Sequence, residues 1–249
     1  MSRLPKAILF DLDDTIIAAY GRADLAWTAV LEEFTDALTP IDRSIVAAAI
    51  MRSATSFWSD AERHARWRQE IRRARREIVR QAFAQLASHG EYVPTDLAQC
   101  AIADRFSDYR NENMRLFPDA HATIDGLRTN GVKLALVTNG AGQDQRAKIE
   151  RFDLAARFDH IQIEGEHGFG KPEPRAYQHA LATLGVGPRE TWIVGDNLEW
   201  EVAAPQRLGI HAIWYDPDGA GLPEGSPAEP DRIIQSLSEL LSESGKRAT

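Results

Sequence analysis

The chain opens with a short apolar run that ends abruptly in acidic residues, and similar runs recur along its length. Each run holds four to six residues and is followed at once by a polar or turn-forming residue. Short apolar runs bounded by turn signals are typical of strands that are buried on both faces of a parallel sheet. The predicted strands are Ala7–Phe10, Val132–Val137, His160–Ile163, Thr191–Val194 and His211–Tyr215.

Stretches with apolar residues at helical spacing alternate with these strands. Alternating strands and helices predict an α/β domain, a Rossmann-like parallel sheet with right-handed crossovers. A loop rich in proline and glycine covers residues 216–231, and Asp231 then reads as the N-cap of a last helix. The predicted helices of this domain are Ala120–Asn130, Asp144–Phe152, Glu173–Leu184 and Arg232–Glu243.

Residues 19–114 show no convincing strand pattern. Their apolar residues recur at helical spacing, so we expect an all-helical cap domain inserted after the first strand. The predicted domains are therefore 1–18 with 115–249, the α/β core, and 19–114, the helical cap. The predicted cap helices are Asp24–Leu38, Asp42–Trp58, Glu62–Ser88 and Thr95–Asn113.

Composition narrows the function classes. The chain has 249 residues and a formal net charge of −8, which argues against a general nucleic-acid-binding protein. Its one cysteine, Cys100, excludes an internal disulfide, and we expect a reducing, cytoplasmic setting. No run approaches the roughly 18 apolar residues of a membrane span, so no membrane partner is expected.

Reactive residues follow four of the predicted strands, where an open parallel sheet presents groups to ligands. Carboxylates suit a hard cation such as Mg²⁺, and a lysine beside a hydroxyl and backbone N–H groups suits a phosphate. Taken singly, each acid could cap a turn or a helix, and the lysine could be solvated; together they favour one binding site. These residues are Asp11 and Asp13, Thr138–Asn139–Gly140, Lys171 and Asp196.

Two acids separated by one residue can divide the work of a hydrolytic reaction. Asp11 would be nucleophile and metal ligand, and Asp13 would be general acid and then base, with its backbone carbonyl as a further metal ligand. Neighbouring carboxylates do not ionise together easily, so one of them can keep a proton to donate.

The four motifs together resemble the haloacid dehalogenase-like (HAD) hydrolase superfamily. The sequence around these motifs is most similar to that of members with a helical cap, such as N-acylneuraminate-9-phosphatase-like enzymes and pyrimidine 5′-nucleotidases. The motifs are Phe-Asp-Leu-Asp-Asp-Thr (10–15), Val-Thr-Asn-Gly (137–140), Gly-Lys-Pro-Glu-Pro (170–174) and Val-Gly-Asp-Asn (194–197).

The resemblance implies a Mg²⁺-dependent phosphatase, a phosphoric monoester hydrolase acting on a small phosphorylated metabolite, either a sugar phosphate or a nucleotide. It further implies that Asp11 forms an aspartyl-phosphate, and that Asp13 protonates the leaving alcohol and then activates water. The implied phosphate-binding residues are Thr138, Asn139 and Lys171, and the implied Mg²⁺ ligands are Asp11, Asp13 and Asp196.

One position departs from the family pattern. The family usually has a second aspartate four or five residues after the metal-binding one. Here the candidates are Glu199 and Glu201, of which Glu201 stands at the usual offset. Glu201 and Asn197 are therefore candidates for a supporting layer around the metal or Lys171, although a glutamate there could equally be a solvated helix residue.

Several alternatives stay open. A phosphomutase would share these groups, and a catalytically silent binding protein could share the fold. A 2-haloacid dehalogenase is disfavoured, because by resemblance true dehalogenases lack an acid at the position of Asp13. The substrate is not given, and either a monomer or a homodimer is expected.

The basic segment and the histidines of the chain are also considered as possible binding groups. The basic segment Arg63–Arg80 could attract an anion, but a solvated helix face paired with acids is favoured. His64, His121 and His167 show no metal-ligand spacing.

Overall fold

The computed structural model of the protein describes residues 4–19 and 21–242. The chain divides into two compact units, which we call the core unit (Met1–Ala18 with Arg115–Thr249) and the helical unit (Ala19–Met114).

Strands and helices alternate through the core unit, whereas the regular elements in the described residues of the helical unit are all helices. The strands are β1 (Ala7–Phe10), β2 (Ile17–Ala18), β3 (Arg115–Leu116), β4 (Lys133–Thr138), β5 (His160–Ile163), β6 (Thr191–Gly195), β7 (His211–Tyr215) and β8 (Arg232–Ile234). The helices are α1 (Ala23–Glu33), α2 (Thr35–Leu38), α3 (Arg43–Trp58), α4 (Ala61–Trp67), α5 (Ile71–Ser88), α6 (Asp96–Asn113), α7 (Ala120–Thr129), α8 (Gly142–Arg151), α9 (Glu164–His167), α10 (Pro174–Leu184) and α11 (Ala204–Gln206).

A six-stranded parallel sheet forms the centre of the core unit, in the order β5-β4-β1-β6-β7-β8. Strand β1 lies between β4 and β6, and all four of its residues are buried. Helix α10 packs on the sheet through buried residues such as Tyr177, whose hydroxyl donates to the carbonyl of Trp200 at 2.5 Å. The predicted parallel α/β fold is confirmed, and each predicted strand agrees with an observed one to within a residue at either end.

A tight turn follows β1 and was not predicted. The backbone N–H groups of Ile16 and Ile17 both donate to the carbonyl of Leu12, at 3.0 and 2.9 Å. Asp14 adopts a φ of 58° in this turn, a left-handed conformation that aspartate tolerates better than most residues. The turn brings the chain into the antiparallel pair of β2 and β3.

The helical unit has its own hydrophobic core, to which helices α1, α3, α5 and α6 contribute. At its centre the rings of Trp27 and Phe106 stack with centroids 3.6 Å apart. Two predicted helices are each divided in the structure. Asp24–Leu38 breaks at Phe34 into α1 and α2, and Glu62–Ser88 breaks between Trp67 and Ile71 into α4 and α5.

Acidic residues neutralise much of the basic segment on α5. Arg76 forms a bidentate ion pair with Asp104 of α6, with both hydrogen bonds at 2.7 Å. Arg72 pairs with Asp108, which also lies on α6. Arg80 pairs with Glu77 within its own helix. This pairing supports the interpretation of the segment as an ordinary charged helix face.

The predicted final helix is wrong. Arg232–Ile234 instead forms the edge strand β8, paired in parallel with β7, and a 3-10 turn follows at Leu237–Leu241. The side chain of Asp231 accepts from the backbone N–H of Ala212 at 2.8 Å rather than capping a helix. Pairing with an open sheet edge therefore outweighs the local helical pattern, and Glu243, the last residue of the predicted helix, lies outside the described residues.

Within the described part of the chain, the helices are too short or too polar to cross a lipid bilayer.

We expect the core of the helical unit to be sensitive to loss of volume. Phe83→Ala removes a side chain that is 1% exposed and should lower the free energy of unfolding by about 3–5 kcal/mol. Leu97→Ala is the control, because Leu97 is 82% exposed and its loss should change stability by no more than about 0.5 kcal/mol. Urea denaturation followed by circular dichroism measures both, and equal losses would contradict the assigned core.

Candidate active site

The carboxyl ends of three adjacent strands carry the candidate site. Asp11 follows β1, Thr138 ends β4 and Asp196 follows β6, so the central three strands present these groups at one edge of the sheet. The backbone N–H of Asp11 donates to the carbonyl of Val194 at 3.0 Å, which extends the pairing of β1 with β6 up to the site. A right-handed parallel fold brings such side chains together by its topology.

Lys171 is the centre of the site. Its side chain is 1% exposed, and its ammonium lies 2.5 Å from Oδ1 of Asp11 and 2.7 Å from Oε1 of Glu201. Burial alone would lower the pKa of Lys171, but the charges of Asp11 and Glu201 raise it above its ordinary value. The lysine is therefore held as a buried cation between two carboxylates from different parts of the chain.

The amide of Asn139 fixes the backbone on which Lys171 stands. Its Nδ2 donates to the carbonyl of Lys171 at 2.7 Å, and its Oδ1 accepts from the backbone N–H of the same residue at 2.9 Å. Asn139 was predicted to bind phosphate, and these two bonds give its side chain a structural role beside that prediction. The side chain positions the lysine, and contact of Asn139 with phosphate stays a prediction.

Glu201 reaches Lys171 from a π-helical turn at Leu198–Ala203 that follows β6. Its other oxygen accepts from the backbone N–H of Asn197 at 3.0 Å, while the Asn197 side chain caps the turn by accepting from the N–H groups of Glu199 and Trp200. Burial raises the pKa of Glu201 to about 7, and the charge of Asp11 adds to this effect.

Gly195 makes room for this glutamate. A Cβ atom at position 195 would lie 2.1 Å from Cγ and 2.7 Å from Cδ of Glu201, which no real contact allows. The glutamate side chain therefore passes over a bare stretch of backbone to reach the lysine. The glycine of the Val-Gly-Asp-Asn motif thus has a steric role beside the acid that follows it.

A second lysine, which the sequence patterns did not identify, holds Asp13. Nζ of Lys148 lies 2.8 Å from each carboxylate oxygen of Asp13, and Gln145 donates to Oδ2 of the same group at 3.0 Å. Both residues stand on α8, three positions apart, and so share one face of that helix. That spacing, directly after the Thr-Asn-Gly motif, was the one signal available in the sequence.

Gln145 also joins Asp13 to the phosphate-binding candidate Thr138. The same Nε2 that contacts Asp13 donates to Oγ1 of Thr138 at 2.5 Å. The threonine is 2% exposed, so its hydroxyl is oriented by this contact rather than by bulk water. The structure thus joins Asp13 and Thr138 through Gln145, and joins Asp11 to Lys171 through a separate ion pair.

Asp196 adds a further carboxyl group to the site. Its backbone carbonyl accepts from the indole N–H of Trp214 at 2.7 Å, which anchors the residue to β7. Although part of the side chain is open to solvent, the protein packed around the carboxyl, and then the charges of Asp11 and Glu201, raise its pKa to about 9.

The acids outnumber the bases in this site. Five carboxyl groups stand against two ammonium groups: Asp11, Asp13, Asp14, Asp196 and Glu201 against Lys148 and Lys171. Burial raises the pKa of Asp11 as well, and the ammonium of Lys171 offsets this only in part. A raised pKa indicates that a carboxyl group has too little positive charge near it to stabilise its ionised form. A bound cation would supply that charge.

The donor set therefore fits a hard divalent cation. Asp11 and Asp196 offer carboxylate oxygens, the ligand type that Mg²⁺ prefers, and Mg²⁺ usually takes only one or two of them from protein. The carboxylate of Asp13 is turned to Lys148, so this residue would contribute its backbone carbonyl.

Comparison with known proteins gives a consistent picture. A sequence profile described as haloacid dehalogenase-like hydrolase matches residues 5–209. The phosphoserine phosphatase of Thermus thermophilus is 32% identical over 95% of this chain and 98% of its own length. The N-acylneuraminate-9-phosphatase of Rattus norvegicus is 36% identical over 53% of this chain and 52% of its own length.

A solved structure shares the fold over most of the chain. The magnesium-bound HAD-hydrolase YfnB of Bacillus subtilis superposes with a TM-score of 0.68 at 24% identity, covering 96% of this chain and 97% of its own.

The space above Gly195 generates a stability prediction. Gly195→Ala should displace Glu201 from Lys171 and lower the free energy of unfolding by about 1–3 kcal/mol, because the new methyl group overlaps buried atoms. Gly187→Ala, on the segment that leads into β6, is the control: its nearest neighbour would be 3.5 Å away, and stability should change by less than about 1 kcal/mol. Urea denaturation compares the two, and an unaffected Gly195→Ala protein would contradict the described path of Glu201.

Proposed function

Because the chain belongs to the haloacid dehalogenase-like hydrolase family, as predicted from its motifs, we propose that it is a Mg²⁺-dependent phosphatase. Its substrate would be the phosphate monoester of a small metabolite, hydrolysed through an aspartyl-phosphate on Asp11. The predicted hydrolase class is confirmed by the family match, and the phosphatase names of the relatives support the reaction type.

The separate ammonium partners of Asp11 and Asp13 are the observation that carries this proposal. Lys171 contacts one oxygen of Asp11, whereas Lys148 contacts both oxygens of Asp13. Two acids one residue apart are thereby given different surroundings: Asp11 is buried, and Asp13 is only half-buried. Different surroundings are what allow one acid to act as nucleophile and its neighbour to transfer protons.

In the first half of the proposed reaction, a carboxylate oxygen of Asp11 attacks phosphorus and the bond to the leaving alcohol breaks. Asp13 donates to that alcohol oxygen the proton that it took from water in the second half of the preceding cycle. Lys171 and the hydroxyl of Thr138 bind the phosphoryl oxygens, and a bound Mg²⁺ would offset their negative charge. Phosphoryl transfer depends mainly on such positioning and charge neutralisation.

In the second half, Asp13 takes a proton from water, and the resulting hydroxide attacks the aspartyl-phosphate. Phosphate leaves, and the carboxylate of Asp11 is restored. Covalent catalysis of this kind divides one difficult displacement into two easier ones. Glu201 and Asn139 take no part in bond making, but they keep Lys171 in place through both halves.

The presence of Asp13 supports phosphate esters over carbon–halogen bonds as the substrate. An alkoxide leaving group needs a proton, whereas a halide leaves without one. A half-buried acid beside the nucleophile, held by Lys148 and Gln145, can supply the proton that an alkoxide needs.

Removal of the nucleophile tests the proposal directly. Asp11→Asn should lower turnover of p-nitrophenyl phosphate by about 10³-fold or more, because an amide cannot attack phosphorus. EDTA should abolish turnover by the unaltered protein, and added Mg²⁺ should restore it. Asp153→Asn is the matched control, since the side chain of Asp153 is 84% exposed. Full activity of folded Asp11→Asn, or turnover indifferent to EDTA, would contradict the mechanism.

Lys148 should matter through the acid that it holds. Lys148→Met should lower kcat by about 10–100-fold while changing KM little, because Asp13 loses the group that fixes both of its oxygens. Lys148→Arg should recover part of kcat. Lys133→Met is the control, since Lys133 lies at the opposite end of β4 and donates to the carbonyl of Leu184. A loss confined to KM would show instead that Lys148 binds substrate.

A further inference from the structure

Three histidines on the edge of the core unit lie close enough together to share one ligand. One ring nitrogen from each of His160, His167 and His179 lies within 4.8 Å of the other two. They come from different elements: His160 begins the edge strand β5, His167 ends α9, and His179 lies on α10. The fold therefore assembles this cluster from residues whose sequence spacing gave no signal.

The spacing of the rings suits a single bound ion. The ring centroids are 5.1, 5.4 and 6.2 Å apart. Three imidazoles on one tetrahedral ion, with metal–nitrogen bonds of about 2.0–2.1 Å, would have centroids about 5 Å apart. Small rotations of the side chains would bring the third pair to that distance.

Hydrogen bonds fix which nitrogen of two rings can bind. Nδ1 of His167 lies 3.1 Å from the carbonyl of Ile163, and Nδ1 of His179 lies 2.9 Å from Oε1 of Gln162. The carbonyl of Ile163 can only accept. Oε1 of Gln162 is also an acceptor, because the amide nitrogen of Gln162 donates to the carbonyl of Ala176 at 2.9 Å. Each Nδ1 therefore carries the proton, and each Nε2 keeps a lone pair, which is the arrangement found behind metal-binding histidines.

The third ring presents a buried nitrogen that lacks a partner. Nε2 of His160 is inaccessible to solvent and makes no hydrogen bond with the described part of the chain. A packed aromatic cluster would not explain this nitrogen, since leaving a buried polar atom unsatisfied is unfavourable.

We propose that His160, His167 and His179 form a binding site for a divalent transition-metal ion such as Zn²⁺, outside the carboxylate site. Imidazole suits Zn²⁺, Ni²⁺ and Cu²⁺, whereas Mg²⁺ prefers oxygen ligands, so the two sites select different ions. The three histidines are half-buried, and three protein ligands leave a fourth position for water.

A bound ion would also brace the loop that carries Lys171. This loop runs from His167 to α10, and both of its ends are tied to the cluster, through His167 itself and through His179. Phe169 of the loop packs edge-to-face against both of these rings, with centroids 5.7 and 5.5 Å away. Ion binding should therefore raise the stability of the core unit.

Metal uptake by the untagged, full-length protein tests the proposal. In excess Mg²⁺, which fills the carboxylate site, we expect one equivalent of Zn²⁺ per chain after gel filtration and a rise in Tm of about 5–10 °C at saturation. Co²⁺ in place of Zn²⁺ should give the intense visible bands of a tetrahedral nitrogen site, which an octahedral oxygen site does not give.

The variants His160→Gln and His179→Gln should each lose the stoichiometric uptake, the cobalt bands and the rise in Tm. Their Tm in EDTA shows whether they are folded, and two variants keep the test informative if one of them is not. His121→Gln is the matched control, since His121 lies in the same unit and contacts the carbonyl of Phe152 instead. Absence of uptake by the unaltered protein, or uptake that survives both cluster variants, would overturn the proposal.

Discussion

The buried ammonium of Lys171 is the interaction on which the rest of the site depends. A lysine that is 1% exposed can stay charged only if nearby carboxylates compensate for the water that it has lost. Asp11 and Glu201 supply this compensation from opposite ends of the core sequence, one after β1 and the other after β6. The ion-pair network therefore ties together the two strands that meet at the centre of the sheet. It also fixes the position of Asp11 before any substrate is present.

This network needs a glutamate and a glycine together. The side chain at position 201 must cross from the π-helical turn to the lysine, and it does so directly over the backbone of Gly195. A larger residue at position 195 would block that path, whereas the extra methylene of Glu201, compared with aspartate, fits it. The glycine of the Val-Gly-Asp-Asn motif thus leaves the space that the longer side chain of Glu201 occupies.

The sequence predicted the parts of the site that topology alone determines. Short apolar runs defined the central strands, and parallel strands must present their carboxyl ends at one edge, so the meeting of Asp11, Thr138 and Asp196 followed from pattern. Lys148 could not be placed in this way, because the face of α8 that meets the sheet is set by tertiary packing. The prediction of the last helix was wrong for a related reason. Arg232–Ile234 has a helical pattern, but these residues pair with an open edge of the sheet instead.

The partners in an ion pair could not be predicted from the sequence either, since distance along the chain does not show which acid a lysine will face. Asp11 and Asp13 are nearly adjacent, yet one pairs with a lysine 160 positions away and the other with a lysine 135 positions away. Because β1 pleats and then turns sharply at Leu12, the two acids face different elements, the loop before α10 and the helix α8. The sharp turn is therefore what separates the two carboxylates chemically. Separate partners of this kind allow two neighbouring acids to differ in their chemistry.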